Sequence, residues 1–189
     1  MTTGKISVRL EFTPNPNTLK FVVDQAFLDR GAANFATADT AGESPLARRL
    51  FDIPGVQGVM IGTGFVTITK SPSGDWDVLA ERVPAALEAH VASGEPALSP
   101  EYLARLQAPP AEGVSDVERK IRDVLDSEIR PAVAMDGGDI TFDRYENGVV
   151  YLHLQGACSS CPSSVMTLKM GVESRLKDAV PEIKEVVQV

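Results

Sequence analysis

The chain has 189 residues, 43% of them apolar and 23% charged, so it can bury a real core, and its length favours two small domains. A net charge of −8 and a pI near 4.8 argue against binding to the nucleic-acid backbone, which requires clustered Lys and Arg. No apolar run reaches membrane-spanning length, and residues 1–5 contain no apolar signal core. We therefore expect a reducing compartment: the bacterial cytoplasm, or the mitochondrial matrix for a processed eukaryotic chain.

The first 92 residues predict a domain with the order β-β-α-β-β-α. Apolar residues alternate over 6–12 as in a half-buried strand, and the run Thr13-Pro14-Asn15-Pro16-Asn17 then forces a turn into a second strand over 19–23. Ser44 and Pro45 are a helix cap and a first-turn proline. The remaining predicted elements are a helix over 44–51, strands over 56–61 and 65–70, and a helix over 75–91 whose inward residues are Val78, Leu79, Val83, Leu87 and Val91.

This first domain contains no pattern of catalytic residues, and we do not expect the protein to be an enzyme. Gly62-Thr63-Gly64 lacks the third glycine of a dinucleotide-binding loop and is better explained as a hairpin turn. His90 has no neighbouring metal ligand in the sequence and is interpreted as a surface histidine, and Trp76 as a packing anchor. The domain is therefore expected to bind partners or to act as a spacer.

Residues 93–113 predict an exposed linker, because four of the thirteen prolines lie there, with a helical turn near residues 102–106. A second domain over 114–189 then has the order α-β-β-α-β, so that the whole chain is α+β. Ser115 and Glu118 have the spacing of a capping box, and the helix that they begin runs to Pro131. Asn147-Gly148 is a strong hairpin signal between strands over 140–145 and 149–154.

The last two elements of this domain are a helix over 162–179 and a strand over 183–189. The helix turns Val165, Leu168, Val172 and Leu176 inward. The final strand follows a helix, so we expect it to lie parallel to the strand before the cysteines through a right-handed crossover.

The two cysteines, Cys158 and Cys161, lie between the second strand of this hairpin and the following helix. Pro162 suits the first helical position, so the thiols are placed at a helix N-terminus, outside the apolar stripes of the domain. Backbone N–H groups and the helix dipole favour the thiolate there, which is both the nucleophile and the metal ligand. The pair is the candidate functional site.

Cysteine counting leaves several chemistries open for this pair. Structural zinc and common iron–sulfur clusters use four protein ligands, and one chain supplies two thiols. Either a second copy completes the site or no four-thiolate site forms. A dithiol of a thioredoxin-like oxidoreductase and a zinc-bridged structural dimer are the alternatives, and a structural disulfide is disfavoured in a reducing compartment.

Several motifs in the second domain resemble the C-terminal domain of the NifU family, the Nfu-type iron–sulfur carriers, over residues 114–189. They are Asp136-Gly137-Gly138-Asp139, Gly156-Ala157-Cys158-Ser159-Ser160-Cys161-Pro162 and Thr167-Leu168-Lys169-Met170-Gly171-Val172-Glu173. The first domain is similar to the N-terminal module of Nfu proteins. The similar segments there are 13–21, 44–47, 51–56 and 65–70. The sequence departs from the family pattern at Val22-Val23, where the family often has an aliphatic residue followed by Pro-Gly.

The resemblance implies that Cys158 and Cys161 from two chains ligate one [4Fe–4S] cluster, which the homodimer delivers to apo iron–sulfur proteins. It also implies an upstream assembly machinery as a partner, because the chain lacks the further cysteines of an assembly scaffold. A membrane or nucleic acid is not expected as a partner.

Three further features of the second domain have less specific interpretations. The Asp136–Asp139 motif has two interpretations that we weigh equally: a turn whose glycines permit positive φ, or a part of the cysteine site. Met166 and Met170 are interpreted as core residues. His153 is out of phase with Val150 and Leu152 and is expected to face away from the helices.

Overall fold

The computed structural model describes residues 6–109 and 113–189, without the side chains of residues 162–165 and 167. The predicted lead-in over 1–5 and residues 110–112 of the predicted linker lie outside this part. The chain forms two compact units, Met1–Ala108 and Pro109–Val189, and each combines helices with one sheet. The fold is therefore α+β, as predicted.

The first unit contains a five-stranded antiparallel sheet in the order β1-β2-β5-β4-β3. The strands are β1 Val8–Phe12, β2 Thr18–Val23, β3 Ala33–Phe35, β4 Val56–Ile61 and β5 Phe65–Lys70. The hairpin β4–β5 has the predicted bounds, and the N–H of Gly62 donates to the carbonyl of Phe65 at 2.8 Å across its short turn. Strand β3 and a 3-10 helix over Ala38–Glu43 were not predicted, since the region is a Gly/Ala/Thr-rich stretch without apolar periodicity.

The helices of this unit are α1 Pro45–Phe51, α2 Trp76–Ser93 and α3 Pro100–Leu106. Ser44 caps α1 by accepting a hydrogen bond from the N–H of Ala47 at 2.9 Å, and Asp75 caps α2 by accepting one from Asp77 at 2.9 Å. These caps confirm the predicted starts of both helices.

The predicted exposed linker is wrong for part of its length. Ala97 and Leu98 are buried in the core of the first unit, and Tyr102 of α3 packs against the same core. The Ser44 hydroxyl donates to the carbonyl of Ala97 at 2.7 Å, which fixes this segment against α1. Proline content indicated an extended segment, but burial of apolar side chains outweighs it here.

Burial in this unit confirms some sequence predictions and corrects others. Trp76 packs against the core, as predicted, and its indole N–H donates to the carbonyl of Pro16 at 3.2 Å. Val78 was predicted to face inward but is exposed, and Phe12, the last residue of the alternating strand, is 87% exposed. The interpretation of His90 as a surface residue is also wrong, because its side chain is buried.

The second unit contains a three-stranded sheet in the order β6-β7-β8. Its elements are α4 Asp116–Val124, α5 Arg130–Met135, β6 Gly138–Glu146, β7 Val149–Gly156, α6 Pro162–Ala179 and β8 Glu185–Gln188. Asn147 and Gly148 both have positive φ, 55° and 89°, as a tight hairpin turn requires. Strand β8 pairs with β7 in parallel, as predicted.

The first helix of this unit continues beyond its predicted end at Pro131. Ser115 and Glu118 form the predicted capping box at its start. A π-helical turn over Leu125–Ile129 then joins α4 to α5, and Pro131 lies in the first turn of α5. A π turn widens the backbone where proline would otherwise clash with the preceding turn, so the chain stays helical to Met135.

The core of this unit forms where α4–α5 and α6 meet the sheet. It includes Ile121, Val133, Ile140, Val150, Leu152, Val172 and Leu176. Leu168 packs against this core as predicted, whereas the side chain of Val165 lies outside the described part. Among the described helices, none combines the length and apolar character needed to cross a bilayer.

Candidate cysteine site

The two cysteines lie in the short connection between the end of β7 at Gly156 and the start of α6 at Pro162. Gly156 has φ of 62°, and its carbonyl accepts hydrogen bonds from the N–H of Ser159 at 3.2 Å and from the Ser159 hydroxyl at 2.8 Å. These bonds close a tight turn around Cys158. Cys161 then occupies the N-cap position of α6, with extended backbone angles. The sequence prediction for this connection is confirmed.

Neither cysteine is in a disulfide, and both are buried, with 3% of Cys158 and 1% of Cys161 exposed. Cys158 belongs to the core of the second unit. The expectation that the pair lies outside the apolar part of the domain is therefore wrong, because the turn at Gly156 folds the first sulfur inward. Ser159 and Ser160, between the cysteines, are exposed.

The Asp136–Asp139 motif packs directly against Cys158. Gly137 has φ of 77° and ends the helical segment, and its carbonyl accepts a hydrogen bond from Ala157 at 3.1 Å. Gly138 pairs with Gly156 across the β6–β7 ladder. A Cβ at Gly138 would lie 2.4 Å from Sγ of Cys158, so only glycine leaves room for the sulfur. The motif is thus a turn and also one wall of the cysteine site.

The pKa of Cys158 is raised to about 11, first by burial and then by the charges of Asp136, Cys161 and Asp139. The expectation that the helix N-terminus favours the thiolate is therefore wrong for Cys158 in the metal-free chain. Desolvation disfavours the charged sulfur more than the helix end stabilises it. Cys158 is a protonated thiol at neutral pH, and metal binding must displace its proton.

A second buried group, Asp139, is held by Arg130 of α5. The guanidinium Nε and Nη2 donate to the two carboxylate oxygens at 2.9 and 2.8 Å, and Nη1 donates to Asp126 at 3.0 Å. Only 6% of the Asp139 side chain is exposed. This bidentate ion pair ties α5 to the start of β6 and thereby fixes the wall formed by Gly138. Nothing in the local sequence distinguishes Arg130 from other helix-surface arginines, so its role is evident only in the folded chain.

Three methionines of this unit are exposed, and for Met166 and Met170 this corrects their interpretation as core residues. Met166 and Met170 on α6 are each 68% exposed, and Met135 at the end of α5 is 75% exposed. Met135 precedes the wall of the cysteine site, and the other two follow Cys161 on α6. Helical periodicity alone did not separate this face of α6 from the buried one, because methionine suits both environments.

The described residues of one chain do not offer a complete metal-ligand set. They contain no group of three or more His, Cys, Asp and Glu side chains arranged to hold a metal ion. His153 is exposed on β7, as predicted, and its Nδ1 lies 2.9 Å from the carbonyl of Val189. The site of one chain therefore consists of two thiols with a glycine wall.

Comparison with known proteins gives matches in both halves of the chain. Residues 8–94 match the model of the scaffold protein Nfu/NifU N-terminal family, and residues 121–187 match that of the NifU-like domain family. Several relatives carry the name NFU1 iron-sulfur cluster scaffold homolog, mitochondrial, among them a human and a Drosophila protein. The human protein is 40% identical over 96% of this chain and 71% of its own length, and that of Drosophila virilis is 42% identical over 98% and 64%.

A solved structure is also similar to part of the chain. It is the solution NMR structure of a NifU-like protein from Saccharomyces cerevisiae, which is 29% identical over 50% of this chain and 86% of its own, with a TM-score of 0.46. The chain spans between 61% and 71% of the length of the curated relatives it matches.

Proposed function

The chain belongs to the Nfu family of NifU-like proteins, and on this basis we propose that it holds an iron–sulfur cluster as cargo and passes it to apo-proteins. In this role the protein is a carrier and not an enzyme. The observation that supports the proposal most directly is that the fold brings the two cysteines of the chain into one turn at the start of α6.

The cargo is a [4Fe–4S] cluster that two copies of the chain share. Such a cluster takes four thiolate ligands, and each chain provides Cys158 and Cys161. The described residues of one chain add no third ligand beside them, which favours completion of the site by a second copy. Each thiol loses its proton to solvent as its sulfur bonds to iron, so loading releases protons.

Loading also requires the turn over residues 157–161 to move outward. In the cluster-free chain both sulfurs are buried, and a sulfur that is buried in one chain cannot reach a metal shared with another. Ala157 at the start of the turn donates to the carbonyl of Gly137 at 3.1 Å, and Ser159 and Ser160 are exposed. We expect the opening to be confined to this short segment, with the sheet and α6 in place.

Transfer follows by ligand exchange at iron. A thiolate of the apo-protein bonds to an iron as one cysteine of the carrier leaves and takes up a proton, and the exchange repeats until the cluster has moved. No electrons need to be added or removed. A site between two chains suits this exchange, because separation of the chains exposes the iron to the incoming thiols.

The first unit contributes to the choice of client proteins, and an assembly machinery upstream supplies the cluster. The unit has a well-packed core and no cluster of candidate metal ligands among its described residues. We place the protein in the bacterial cytoplasm or, like the relatives named mitochondrial, in the mitochondrial matrix.

The test is anaerobic reconstitution of the full chain with iron and sulfide, followed by measurement of metal, sulfide and mass. The expected product is brown and dimeric, with about four iron and four sulfide per two chains. Colourless protein that retains zinc would favour the structural zinc dimer, and colourless metal-free protein with a redox-active dithiol would favour the oxidoreductase. A monomer that carries a full cluster would contradict the shared site.

A further inference from the structure

Strand β1 lies at an edge of the five-stranded sheet, and β2 is the one described strand that pairs with it. The N–H of Asp24 donates to the carbonyl of Ser7 at 3.3 Å, one step before the first pair of the β1–β2 register. On the other side of β2, the N–H of Val23 donates to Gly64 at 2.9 Å. Bonded and non-bonded pairs alternate along an antiparallel ladder, so every second residue of β1 turns its backbone N–H and C=O groups away from β2. These residues are Val8, Leu10 and Phe12.

The side chains of β1 alternate between an apolar and a charged face. Val8 and Leu10 pack against the core of the first unit, and Phe12, on the same face of the strand, is 87% exposed. Arg9 and Glu11 lie on the opposite face, with 72% and 35% of their side chains exposed. An edge strand with outward backbone groups is a template for one more strand, and the side chains decide which strand fits.

The strand that fits this edge is β1 of a second copy in antiparallel orientation. When Leu10 lies opposite its own counterpart on a two-fold axis, the outward groups of all three outward residues meet those of the second copy. In this register Arg9 of each copy lies opposite Glu11 of the other, and cross-strand pairs of opposite charge stabilise an antiparallel pair. On the apolar face, the exposed Phe12 lies opposite Val8 of the second copy and covers it.

The charges also exclude the neighbouring registers. A slip by one residue would bring outward backbone groups opposite groups that point toward β2, so the smallest possible slip is two residues. A two-residue slip in one direction places Arg9 opposite Arg9 of the second copy, and in the other direction Glu11 opposite Glu11. Like charges directly opposite each other destabilise a strand pair. Charge complementarity therefore selects one register, in which the strand pairs with itself.

We propose that two copies of this chain pair through β1 in the register centred on Leu10, so that their sheets join into one. The inference goes beyond the proposed function, because the contact needs no cluster. Five residues from each copy bury less than the roughly 1,200 Å² of a stable interface, so the expected dissociation constant is about 0.1–1 mM. The net charge of −8 on each chain opposes the contact, but salt at about 0.15 M screens charges more than about 8 Å apart.

The experiment measures the mass of the metal-free, reduced full-length chain by sedimentation equilibrium at concentrations up to about 1 mM in about 0.15 M salt. Arg9→Glu places a carboxylate opposite Glu11 of the second copy on both sides of the axis, and should raise the dissociation constant by about tenfold. The matched control is Arg82→Glu on α2, which makes the same change of net charge at an exposed residue away from β1. It should shift the dissociation constant by about twofold or less.

A charge exchange tests the register itself. Glu11→Arg should weaken pairing as Arg9→Glu does, and an equimolar mixture of the two variants should recover it, because opposite charges then meet at both positions. The double variant Arg9→Glu/Glu11→Arg keeps the wild-type net charge and should pair with itself as the wild type does, but about tenfold more weakly with the wild-type chain. Glu11→Arg also removes the carboxylate 3.3 Å from Lys20, so thermal unfolding checks that each variant is folded.

Three results would overturn the inference. A wild-type chain that stays monomeric up to about 1 mM has no such contact. If Arg9→Glu pairs like the wild type, the two copies meet at another surface. If both single variants pair weakly and their mixture does not recover, β1 does not face itself in this register. Because no iron or sulfide is present in these measurements, each of these results leaves the proposed carrier function standing.

Discussion

Gly138 and Cys158 are in direct contact, and the backbone of the glycine forms the wall against which the sulfur lies. A Cβ at residue 138 would be 2.4 Å from Sγ and 3.0 Å from Cβ of Cys158, and 3.1 Å from the carbonyl oxygen of Gln155. The position of the buried thiol therefore depends on the absence of a side chain on the neighbouring strand.

Gly138→Ala should accordingly destabilise the chain and displace the cysteine turn. Overpacking of this kind costs about 1–3 kcal/mol, which denaturant unfolding measures. The control is Gly171→Ala on α6, where an added Cβ meets nothing within 4 Å and should stabilise the helix by about 0.5–1 kcal/mol. If the two variants were equally stable, the backbone at residue 138 and the cysteine turn would have moved apart without measurable strain.

Replacement of the two cysteines by serine should have unequal effects on the cluster-free fold. Cys158 lies in the core, and a serine hydroxyl buried there costs about 1–3 kcal/mol. Cys161 is the N-cap of α6, where serine is a preferred residue, so Cys161→Ser should cost less. We expect both variants to lose cluster binding. Thermal unfolding and iron content measure the two effects, and a single variant that takes up a full cluster would contradict the four-thiolate site.

Arg130→Leu should destabilise the second unit by about 3 kcal/mol, because it leaves the carboxylate of Asp139 buried without its ion-pair partner. The exposed Arg119, paired with Asp116 on α4, provides the control: Arg119→Leu should change stability by less than about 0.5 kcal/mol. Denaturant unfolding compares the two. A small effect of Arg130→Leu would mean that the carboxylate of Asp139 reaches solvent or another partner in the variant.

His90 should make the protein less stable as the pH falls. Burial is the main cause that lowers its pKa from 6.5; the charge of Arg49 adds to this, and Glu95 acts in the opposite direction. His90 binds a proton near pH 6.5 in the unfolded chain but only at a lower pH in the folded chain. The contribution of neutral His90 to the free energy of unfolding is therefore fully present above about pH 6.5 and is lost as the pH falls below it. Unfolding at pH 7.5 and 5 should show a smaller difference for His90→Leu than for the wild type. His153→Gln, a change at the other and exposed histidine, should retain the wild-type difference.

A fragment of residues 114–189 should fold and take up a cluster like the full chain. The second unit has its own core, and both cysteines lie in it. Anaerobic reconstitution of the fragment beside the full chain measures iron and sulfide for each. A folded fragment that cannot be loaded under conditions that load the full chain would assign part of the site to the first unit.

Local sequence signals determined most of the secondary structure. Ser44, Asp75 and Ser115 begin helices because their side chains accept hydrogen bonds from the first turn, and Asn147-Gly148 supplies the positive φ values of a hairpin. The cysteine pair at the start of α6 was also evident from the sequence. Each of these signals acts within a few residues, so no knowledge of distant contacts was needed.

The environment of the site was decided by tertiary structure. The burial of Cys158, its contact with Gly138 and the ion pair of Arg130 with Asp139 join residues from three different elements. The sequence placed the thiols at a helix end that favours the thiolate, but the fold withdraws Cys158 from water, and desolvation outweighs the dipole. Burial depends on how distant segments pack, which is also why the exposure of Met166 could not be deduced from helical periodicity.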